Sequence, residues 1–464
     1  MTDLERLVAA AGAVDVIGGA PVEVTDLAYD TRAVVPGTLF FCVRGAHADG
    51  HDFAAAAVGA GAVALVVERR LELDVPQVVV PDARAAMAPV AAEFFDRPTE
   101  ELQVVGVTGT NGKTTTTFLL FAILAAAGRR PGLIGTIEAR VGGERRGVKR
   151  TTPEAIDLQR LFREMLEAGD RSAAIEASSH ASALHRLDDV RFAALVFTNL
   201  SHEHLDFHAD MEDYFQAKRR LFVEGSPPAA VNVGDAYGRR LASELPDALT
   251  FGFADDAEVG PDALDGIDLK LRGRFNAENA LGAIAAAQLL GIERAAVVRG
   301  LESVRGVPGR FESIDEGQPF EVIVDYAHKP FALETLLNAV RELATGRVIC
   351  VFGCGGDRDR EKRPQMGRIA SELADVVVVT NDNPRSEDPQ AIVDEIVAGA
   401  TGDVDVELDR AHAIERAIED AREGDVVLIA GKGAEQGQEF AGETIPFDDR
   451  ETAREVLRTL AARA

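Results

Sequence analysis

The segment VTGTNGKTTTTFLL, residues 107–120, places two glycines and a lysine between an apolar run and a helical pattern. LQVVGVTG indicates a strand and TTTTFLLFAILAAAG indicates a helix. At such a strand-to-helix turn, backbone N–H groups and the helix dipole attract anions. The sequence therefore predicts a phosphate-binding loop, although Val107 stands where the usual G-x-x-x-x-G-K-[ST] pattern has its first glycine.

Within this loop, residue types suggest separate roles. Lys113 is expected to meet the β- and γ-phosphates of a nucleotide, and the Thr114 hydroxyl is expected to ligate Mg²⁺. The rest of the predicted nucleotide contacts in the loop are Gly109, Thr110, Asn111, Gly112 and Thr115. An ordinary glycine turn is the alternative. The combination of strand, loop, lysine, threonine and helix favours the nucleotide.

Polar residues also follow two later apolar runs, in AAIEASSHASALHR and ALVFTNLSHEHLDFH. Strand ends are frequent site positions in α/β folds. Glu176 and His204 could hold a second magnesium ion, because carboxylate is a hard ligand and imidazole is acceptable. A lone histidine at a strand end, such as His204, more often has a structural role. The HEH triplet lacks the second half of H-E-x-x-H, so it gives little support to a zinc peptidase.

Lysine is scarce in this chain, since only seven of the 49 basic residues are lysines. They are Lys113, Lys149, Lys218, Lys270, Lys329, Lys362 and Lys432. Arginine offers neither a compact ammonium nor a removable proton, so lysine is expected where one of these is needed. Five of the seven lie in or beside the motifs described in this section.

The elements that must position these residues suggest more than one core, because single cores stop growing near ~250 to 300 residues. Residues 1–98 indicate a small α/β unit, with strand candidates in VEVTDLAYDTR, GTLFFCV and AVALVVE and a helix in DFAAAAVGAGA. A second unit, 99–306, opens at ELQVVGVTG and runs to the helix ENALGAIAAAQLLG. The turn segment RGVPGR then marks a boundary.

Residues 307–464 alternate apolar runs with helical patterns. EVIVDYA, RVICVFG, DVVVVTND and DVVLIAG are typical of buried parallel strands, and FALETLLNAVREL and AHAIERAIEDAR indicate helices between them. This alternation predicts a doubly wound domain that binds ligands at the carboxyl ends of its strands. The predicted fold class is therefore α/β, in three domains.

Composition limits the classes of partner. The net charge of −28, from 77 acidic and 49 basic residues, argues against a general nucleic-acid surface. Cys42, Cys350 and Cys354 show no paired spacing, which fits a reducing compartment. The start MTDLERLVAA lacks a secretory pattern, and FLLFAILAAAG is too short for a membrane span. We expect a cytoplasmic protein with small-molecule partners and without nucleic-acid or membrane partners; the sequence does not indicate an oligomeric state.

Nine motifs occur along the chain in this order: GTNGKTTT, TTPE, EASSH, FTNLSHEHLDFH, AKRRLF, DYAHKP, FGCGGDRDREKRP, DNPR and GKGAE. In these motifs the protein resembles the Mur ligases, and among them the branch that adds meso-diaminopimelate; the resemblance covers essentially the whole chain. The resemblance implies an ATP-dependent amide ligase of peptidoglycan precursor synthesis. It implies an N-terminal domain for the UDP-sugar, a central P-loop ATPase domain, and a C-terminal Rossmann-like domain for the amino acid.

The resemblance also assigns residues around ATP. Lys218 in AKRRLF matches the family's carbamylated lysine, and Glu176 and His204 become magnesium ligands beside Thr114. A lysine amine can take up CO₂ to give an anion suited to Mg²⁺, whereas arginine is too basic to do so. Without the resemblance, Lys218 would be taken for a solvated helix lysine. The further ATP contacts that it implies are Asn279, Arg310 and Asp325.

Two substrate sets follow from the same resemblance. The residues that match contacts to the UDP-muramoyl dipeptide are Thr31, Arg32, His47, Thr151, Thr152, Ser178 and Arg186. Those that match the meso-diaminopimelate pocket are Arg358, Asp382, Asn383, Pro384, Arg385, Gly431 and Glu435. Arg385 would grip the distal carboxylate, which L-lysine lacks, and a buried unpaired arginine would disfavour lysine.

The chain departs from the family's usual pattern at Leu184, His202, Glu203, Phe331 and Ala434. These departures leave the matched metal ligands intact. Three alternatives stay open at this point. They are a lysine-adding ligase of the same branch, a related amide ligase such as a folylpolyglutamate synthetase, and a non-catalytic paralogue that binds nucleotide or muropeptide.

Overall fold

The computed structural model describes residues 2–18, 21–45 and 48–463. The chain forms two compact units, one of residues 1–267 and 278–303 and the other of residues 268–277 and 304–464. Among the described residues, no helix combines the length and the apolar character that crossing a bilayer requires.

The described elements up to residue 303 are, in chain order, β1 (Thr2–Asp3), α1 (Leu4–Ala11), β2 (Asp15–Ile17), β3 (Glu23–Val24), β4 (Asp26–Ala28), β5 (Thr38–Phe41), α2 (Ala54–Gly59), β6 (Ala62–Val67), β7 (Gln77–Val79), α3 (Ala83–Phe94), β8 (Gln103–Thr108), α4 (Lys113–Ala126), β9 (Pro131–Ile134), β10 (Ala139–Val141), β11 (Glu144–Arg146), α5 (Ala155–Glu167), β12 (Ser172–Glu176), α6 (Ser179–Ala183), β13 (Phe192–Phe197), α7 (Met211–Val223), β14 (Ala229–Asn232), α8 (Ala236–Glu244), β15 (Leu249–Phe251), α9 (Arg274–Leu289) and α10 (Arg294–Ser303). Short 3₁₀ helices cover Thr31–Ala33, Gly50–Phe53, Pro98–Glu100 and Pro261–Leu264.

The remaining elements are β16 (Glu312–Ser313), β17 (Glu321–Asp325), α11 (Pro330–Leu343), β18 (Val348–Phe352), α12 (Lys362–Leu373), β19 (Val376–Val379), α13 (Pro389–Val397), β20 (Asp405–Val406), α14 (Arg410–Asp420), β21 (Val426–Ala430), β22 (Gly437–Phe440), β23 (Glu443–Pro446) and α15 (Asp449–Arg463).

The first sheet has the strand order β2-β7-β6-β5-β4. Its strands β4 to β7 run parallel, and β2 pairs antiparallel with β7. The predicted long strand VEVTDLAYDTR is instead divided into β3 and β4 and ends before a 3₁₀ helix. The chain turns there because the Asp30 side chain accepts a hydrogen bond from the Arg32 backbone N–H, which caps the 3₁₀ helix.

The second sheet has the order β11-β10-β9-β12-β8-β13-β14-β15 and is parallel apart from β10 and β11. The strand before the predicted phosphate loop, β8, lies between β12 and β13. Glu176 at the end of β12 pairs with Val107, and Phe197 at the end of β13 pairs with Thr108. The carboxyl ends of these three strands are therefore adjacent, at one edge of the sheet.

Helix α4 follows the loop and is apolar on most of its surface, with Leu119, Leu120 and Ile123 fully buried. It packs on the sheet on one side and on α10 on the other. At Gly300 of α10, a Cβ atom would lie 2.6 Å from the Cα of Ile123, so only glycine permits this approach of the two backbones. The loop is thus anchored to a helix that is covered on two sides.

The third sheet has the order β16-β17-β21-β18-β19-β20, with only β16 antiparallel to its neighbour. Successive residues of β18 face opposite layers. Cys350 and Phe352 pack in the core formed with α11, α12 and α13, whereas Ile349 and Val351 pack in the core formed with α14 and α15. The strands are apolar throughout because both faces are covered. The predicted α/β class, including the doubly wound C-terminal part, is confirmed; the domain boundaries at 98 and 306 stay predictions.

Candidate functional site

The two glycines of the phosphate loop have backbone conformations that require glycine. Gly109 has φ 147° and Gly112 has φ 84°. A Cβ atom on Gly109 would lie 1.9 Å from Thr198 Oγ1, and one on Gly112 would lie 2.1 Å from Asn279 Oδ1. Both positions therefore exclude any side chain, and Asn279, a predicted ATP contact, lies directly against the loop.

Residues that follow β13 hold the loop in place. Thr198 Oγ1 donates to the Asn111 carbonyl at 2.6 Å, and the Asn111 N–H donates to Asn199 Oδ1 at 2.9 Å. The Thr110 N–H donates to the Asn199 carbonyl at 2.8 Å. We did not expect Thr198 and Asn199 as site residues from the sequence, although their position at a strand end was a usable signal.

Two lysines converge on one carbonyl of the loop. Lys113 Nζ donates to the carbonyls of Gly109 and Thr110, each at 2.8 Å. Lys218 Nζ donates to the same Gly109 carbonyl at 2.9 Å, and its side chain is buried. Burial, followed by repulsion from Lys113, lowers the pKa of Lys218 well below its ordinary value. A neutral amine is thus favoured at this position.

Tyr214 connects this lysine to the rest of the site. It lies one helical turn before Lys218 on α7, and Lys218 Nζ lies 4.6 Å from the centre of its ring. The Tyr214 hydroxyl lies within hydrogen-bonding distance of Thr110 Oγ1, at 3.1 Å. The ring of His204 packs edge-on against the ring of Tyr214, with 5.7 Å between the centroids. Helical spacing from Lys218 could have indicated Tyr214 in the sequence.

A buried carboxylate and two hydroxyls lie at the start of α4. Glu176 is 1% exposed, and its Oε2 accepts hydrogen bonds from Thr114 Oγ1 and Thr136 Oγ1, each at 3.1 Å. Its Oε1 accepts from the Thr136 N–H at 2.7 Å. These oxygen donors are the type that Mg²⁺ prefers. Thr136 was not singled out in the sequence, because its proximity depends on the neighbouring strand β9.

The predicted metal ligands are therefore connected by contacts of different kinds. Thr114 contacts Glu176, and Lys113 and Lys218 share a carbonyl, whereas His204 joins them through Tyr214. In the part of the chain that the structure describes, no group of three or more His, Cys, Asp or Glu side chains is placed to hold a metal ion. The predicted set contains only Glu176 and His204 from these residue types.

Four predicted dipeptide contacts form one network beside Glu176. Thr152 Oγ1 donates to the Glu176 carbonyl at 2.7 Å and accepts from the Ser178 N–H at 3.2 Å. Thr151 Oγ1 lies 3.0 Å from Thr136 Oγ1. Arg186 Nη1 donates to the Thr152 carbonyl at 3.2 Å. Thus Thr151, Thr152, Ser178 and Arg186 lie next to the metal-binding candidates.

The other predicted dipeptide contacts lie elsewhere. Thr31 and Arg32 belong to the 3₁₀ helix Thr31–Ala33, and the Arg32 side chain is 88% exposed. Arg32 pairs with Asp30 and lowers the pKa of that carboxyl to about 2. His47, the remaining predicted contact, lies outside the described residues.

In the second unit, the predicted ATP contact Asp325 is the last residue of β17, and the predicted contact Arg310 precedes β16. The side chain of Asp325 accepts hydrogen bonds from the N–H groups of Phe311 and Ala327, each at 2.7 Å. Burial raises the pKa of Asp325, and Arg310 opposes that rise. The Arg310 guanidinium lies over the ring of Tyr326, 4.5 Å from its centre.

The DNPR segment follows β19 and meets residues that follow β21. Asn383 Oδ1 accepts from Lys432 Nζ at 3.0 Å, and Asn383 Nδ2 donates to Glu435 Oε2 at 3.0 Å. Lys432 Nζ also donates to Glu435 Oε2, at 3.1 Å. A Cβ atom on Gly431 would lie 2.7 Å from Asp382 Oδ2. The predicted Asp382, Asn383, Gly431 and Glu435 are thus together, joined by Lys432, which had no assigned role.

Arg385 has an unusual backbone conformation. Its backbone is left-handed, with φ 54°. Its Nη1 donates to the Gly356 carbonyl at 2.6 Å, and its Nε donates to Glu439 Oε2 at 3.1 Å. Pro384 is buried and Arg358 is exposed. Nothing in the sequence indicated Glu439, which lies on the hairpin of β22 and β23.

Three family models match the chain. Residues 23–96 match the model described as Mur ligase family, catalytic domain. Residues 107–287 match the Mur ligase middle domain, and residues 309–433 match the Mur ligase, glutamate ligase domain. Together the three matches follow the chain from its first sheet to its third.

Individual proteins are similar over nearly the full length. A protein of Solibacter usitatus named UDP-N-acetylmuramoyl-L-alanyl-D-glutamate--2,6-diaminopimelate ligase is 47% identical and covers 95% of this chain and 94% of its own length. A protein of Streptomyces coelicolor with the same name is 46% identical, covering 94% and 93%. A solved structure of a ligase of that name is 30% identical with a TM-score of 0.67, covering 95% of this chain and 96% of that chain.

Proposed function

The chain belongs to the Mur ligase family, and we propose that it joins meso-diaminopimelate to the D-glutamyl residue of UDP-N-acetylmuramoyl-L-alanyl-D-glutamate, using ATP. The observation that carries this proposal is the 47% identity, over 95% of the chain, to a protein named for this reaction. The loop around Lys113 and the segment around Arg385 supply the chemistry that the reaction needs. The product would be a precursor of peptidoglycan.

An amide bond cannot form directly from a carboxylate, because a carboxylate is a poor electrophile. In the proposed reaction, an oxygen of the glutamyl carboxylate attacks the γ-phosphorus of ATP, and ADP leaves. The amine of diaminopimelate then attacks the acyl carbon, and phosphate leaves. Lys113 and the N–H groups at the start of α4 neutralise charge on the transferring phosphoryl group.

The residues around Thr114 fit magnesium. A hydroxyl and a buried carboxylate lie 3.1 Å apart, and both are hard oxygen donors. When bound, Mg²⁺ would supply charge neutralisation for the phosphates. Thr114, Glu176, His204 and Lys218 are the proposed ligands. Thr136 positions Glu176 by donating to both of its carboxylate oxygens.

We propose that Lys218 carries a carbamate. Its burial and the neighbouring Lys113 favour the neutral amine, whose lone pair can attack the carbon of CO₂ while the amine releases a proton to water. The change converts a neutral amine beside Lys113 into an anion, which the Lys113 ammonium attracts. Arginine could not take this role, which fits a lysine at this position of an arginine-rich chain.

The dipeptide substrate carries carboxylates and a diphosphate, which suit hydroxyls and arginines. We assign its glutamyl end to the network of Thr151, Thr152, Ser178 and Arg186. Thr31, Arg32 and His47 are assigned to its UDP-sugar. In this scheme residues 1–98 bind the UDP-sugar, 99–306 bind ATP with Asn279 at the adenine, and 307–464 bind the amino acid and contribute Arg310 and Asp325 to ATP.

Specificity for the amino acid is assigned to the segment of Asp382 to Arg385 with Gly431 and Glu435. Arg385 can bind the distal carboxylate of meso-diaminopimelate in bidentate fashion. L-lysine lacks that carboxylate and would leave the guanidinium without its ligand. Arg358, exposed on the loop that follows β18, is the remaining proposed contact. We expect the reaction to take place in the cytoplasm, where ATP is available.

One assay tests this proposal. The purified protein is incubated with Mg-ATP, the UDP-muramoyl dipeptide and either meso-diaminopimelate or L-lysine, and phosphate release and product mass are recorded. We expect the tripeptide product with meso-diaminopimelate alone. Comparable turnover with L-lysine would contradict the role of Arg385 in selecting the distal carboxylate. ATP binding without phosphate release in either mixture would indicate a non-catalytic paralogue.

A further inference from the structure

We propose that Glu439, on the hairpin of β22 and β23, is a positioning residue that orients the Arg385 guanidinium for the distal carboxylate of the incoming amino acid. This inference rests on the proposed function, because that function gives Arg385 its ligand. It adds a determinant of amino-acid affinity that lies outside the DNPR and GKGAE segments.

The hairpin is joined to Arg385 through both backbone and side chain. The Arg385 N–H donates to the Glu439 carbonyl at 3.0 Å, and the Ala441 N–H donates to the Arg385 carbonyl at 2.6 Å. The Glu439 side chain adds the ion pair from Nε to Oε2 at 3.1 Å. Because the two backbone bonds do not need the Glu439 side chain, its truncation should leave the segment folded.

The contacts of the Arg385 guanidinium leave its Nη2 group for a ligand. Nε is bound to Glu439, and Nη1 is bound to the Gly356 carbonyl at 2.6 Å. Among the hydrogen bonds of the described residues, none uses Nη2. Two anchors on different edges fix the plane of a group that would otherwise rotate about its side chain. A carboxylate then meets donors that are already oriented, which lowers the ordering cost of binding.

Glu439 is also tied to the opposite side of the same pocket. Its N–H donates to Asn383 Oδ1 at 3.0 Å, and Asn383 Nδ2 donates to Glu435 Oε2 at 3.0 Å. Arg385 and Glu435 are therefore linked through Glu439 and Asn383. The distal centre of meso-diaminopimelate bears a carboxylate and an ammonium, so a fixed arginine and a fixed carboxylate match its two charges.

The ion pair is partly open to solvent, since the side chains of Arg385 and Glu439 are 23% and 40% exposed. A pair of this exposure contributes little to folding stability. Its contribution is expected in orientation, where a small misplacement of a binding group has a large effect on affinity. The effect should therefore appear in the KM for one substrate rather than in the Tm.

The test compares Glu439→Ala with Glu443→Ala. Glu443 is an exposed residue of β23 on the same hairpin, so its variant has the same change of charge. We expect Glu439→Ala to raise the KM for meso-diaminopimelate about 10-fold, with kcat and the KM values for ATP and the dipeptide little changed. Glu443→Ala should behave as the wild type. Glu439→Gln, which keeps an acceptor oxygen for Nε, should restore part of the affinity.

Two results overturn the inference. In one, the KM for meso-diaminopimelate of Glu439→Ala equals that of Glu443→Ala. In the other, all three KM values rise together with a lower Tm, which indicates a general structural role. If the wild type turns over meso-diaminopimelate in either case, the proposed function stands. If the wild type shows no such turnover, the proposed function fails, and this inference fails with it.

Discussion

Each of the two units buries a lysine at its candidate site, but the two lysines have different neighbours. Lys218 in the first unit donates to the neutral carbonyl of Gly109, which also accepts from Lys113. Lys432 in the second unit donates to Asn383 and to the carboxylate of Glu435. The two buried amines thus differ in the charge of their neighbours.

Two buried arginines of the second unit have carboxylate partners, as Lys432 does, whereas the buried Lys362 donates to the His328 carbonyl. Arg410 pairs with Asp449 at 2.7 Å, and both side chains are fully buried. Arg363, also fully buried, pairs with Glu387 and Glu395. These arginines are buried together with their counter-charges, whereas Lys218 is buried beside Lys113.

The largest expected effect is a loss of turnover when Lys218 of the first unit is replaced. Lys218→Ala should lower turnover about a thousandfold, because the site loses the proposed carbamate. Small carboxylates such as formate should restore part of the activity, since they can occupy the vacated volume as anions. Phosphate release with and without formate measures this. Unchanged turnover of Lys218→Ala would falsify the carbamate proposal.

Replacing Lys218 or Lys432 by methionine should change the free energy of unfolding by different amounts, because the two amines have different neighbours. Lys432→Met removes a charged donor from both Asn383 Oδ1 and Glu435, which keep one other donor each, and should lower the free energy of unfolding by about 2 kcal/mol. Lys218→Met removes a buried amine whose charged form is disfavoured by burial and by Lys113, so it should not lower the free energy of unfolding at neutral pH. Urea denaturation of the two variants measures both values. Equal losses would mean that the two amines are equivalent.

A further expected effect is a dependence of stability on pH. The pKa of Lys218 is lowered in the folded protein from an ordinary value of 10.5. Between the lowered pKa and 10.5, the unfolded chain binds more protons than the folded protein does. The free energy of unfolding therefore rises with pH in this range, by at most about 1.4 kcal/mol per pH unit. This stability is lost as the pH falls from 10.5 toward the lowered pKa.

The measurement compares the wild type with Lys218→Met from about pH 7 to about pH 9, in buffer free of bicarbonate. The difference in the free energy of unfolding should grow in favour of the wild type as the pH rises. Parallel curves would show that Lys218 keeps an ordinary pKa in the folded protein.

Much of the fold could be predicted because its strands are buried on both faces. Runs such as RVICVFG are apolar throughout, and the glycine loop marks where β8 ends. The N-terminal strands were less predictable. There the Asp30 side chain competes with sheet hydrogen bonds and starts a 3₁₀ helix inside a segment with a strand pattern.

Site residues that lie within a sequence motif were predictable, whereas residues that reach the site only through tertiary contacts were less so. Lys113, Glu176 and Lys218 stand in recognisable segments. Tyr214 could have been found from its helical spacing to Lys218. Glu439 could not, because its hairpin turns at Ala441, a non-glycine residue with φ 50°, and no local pattern connects it to Arg385.

The burial of Lys218, Lys362 and Lys432 has a practical consequence for chemical labelling. Amine-reactive dyes need accessible, neutral amines, and the exposed lysines are Lys149 and Lys270. One belongs to each compact unit. An amine-reactive dye should therefore label these two lysines ahead of the buried ones, with one site in each unit.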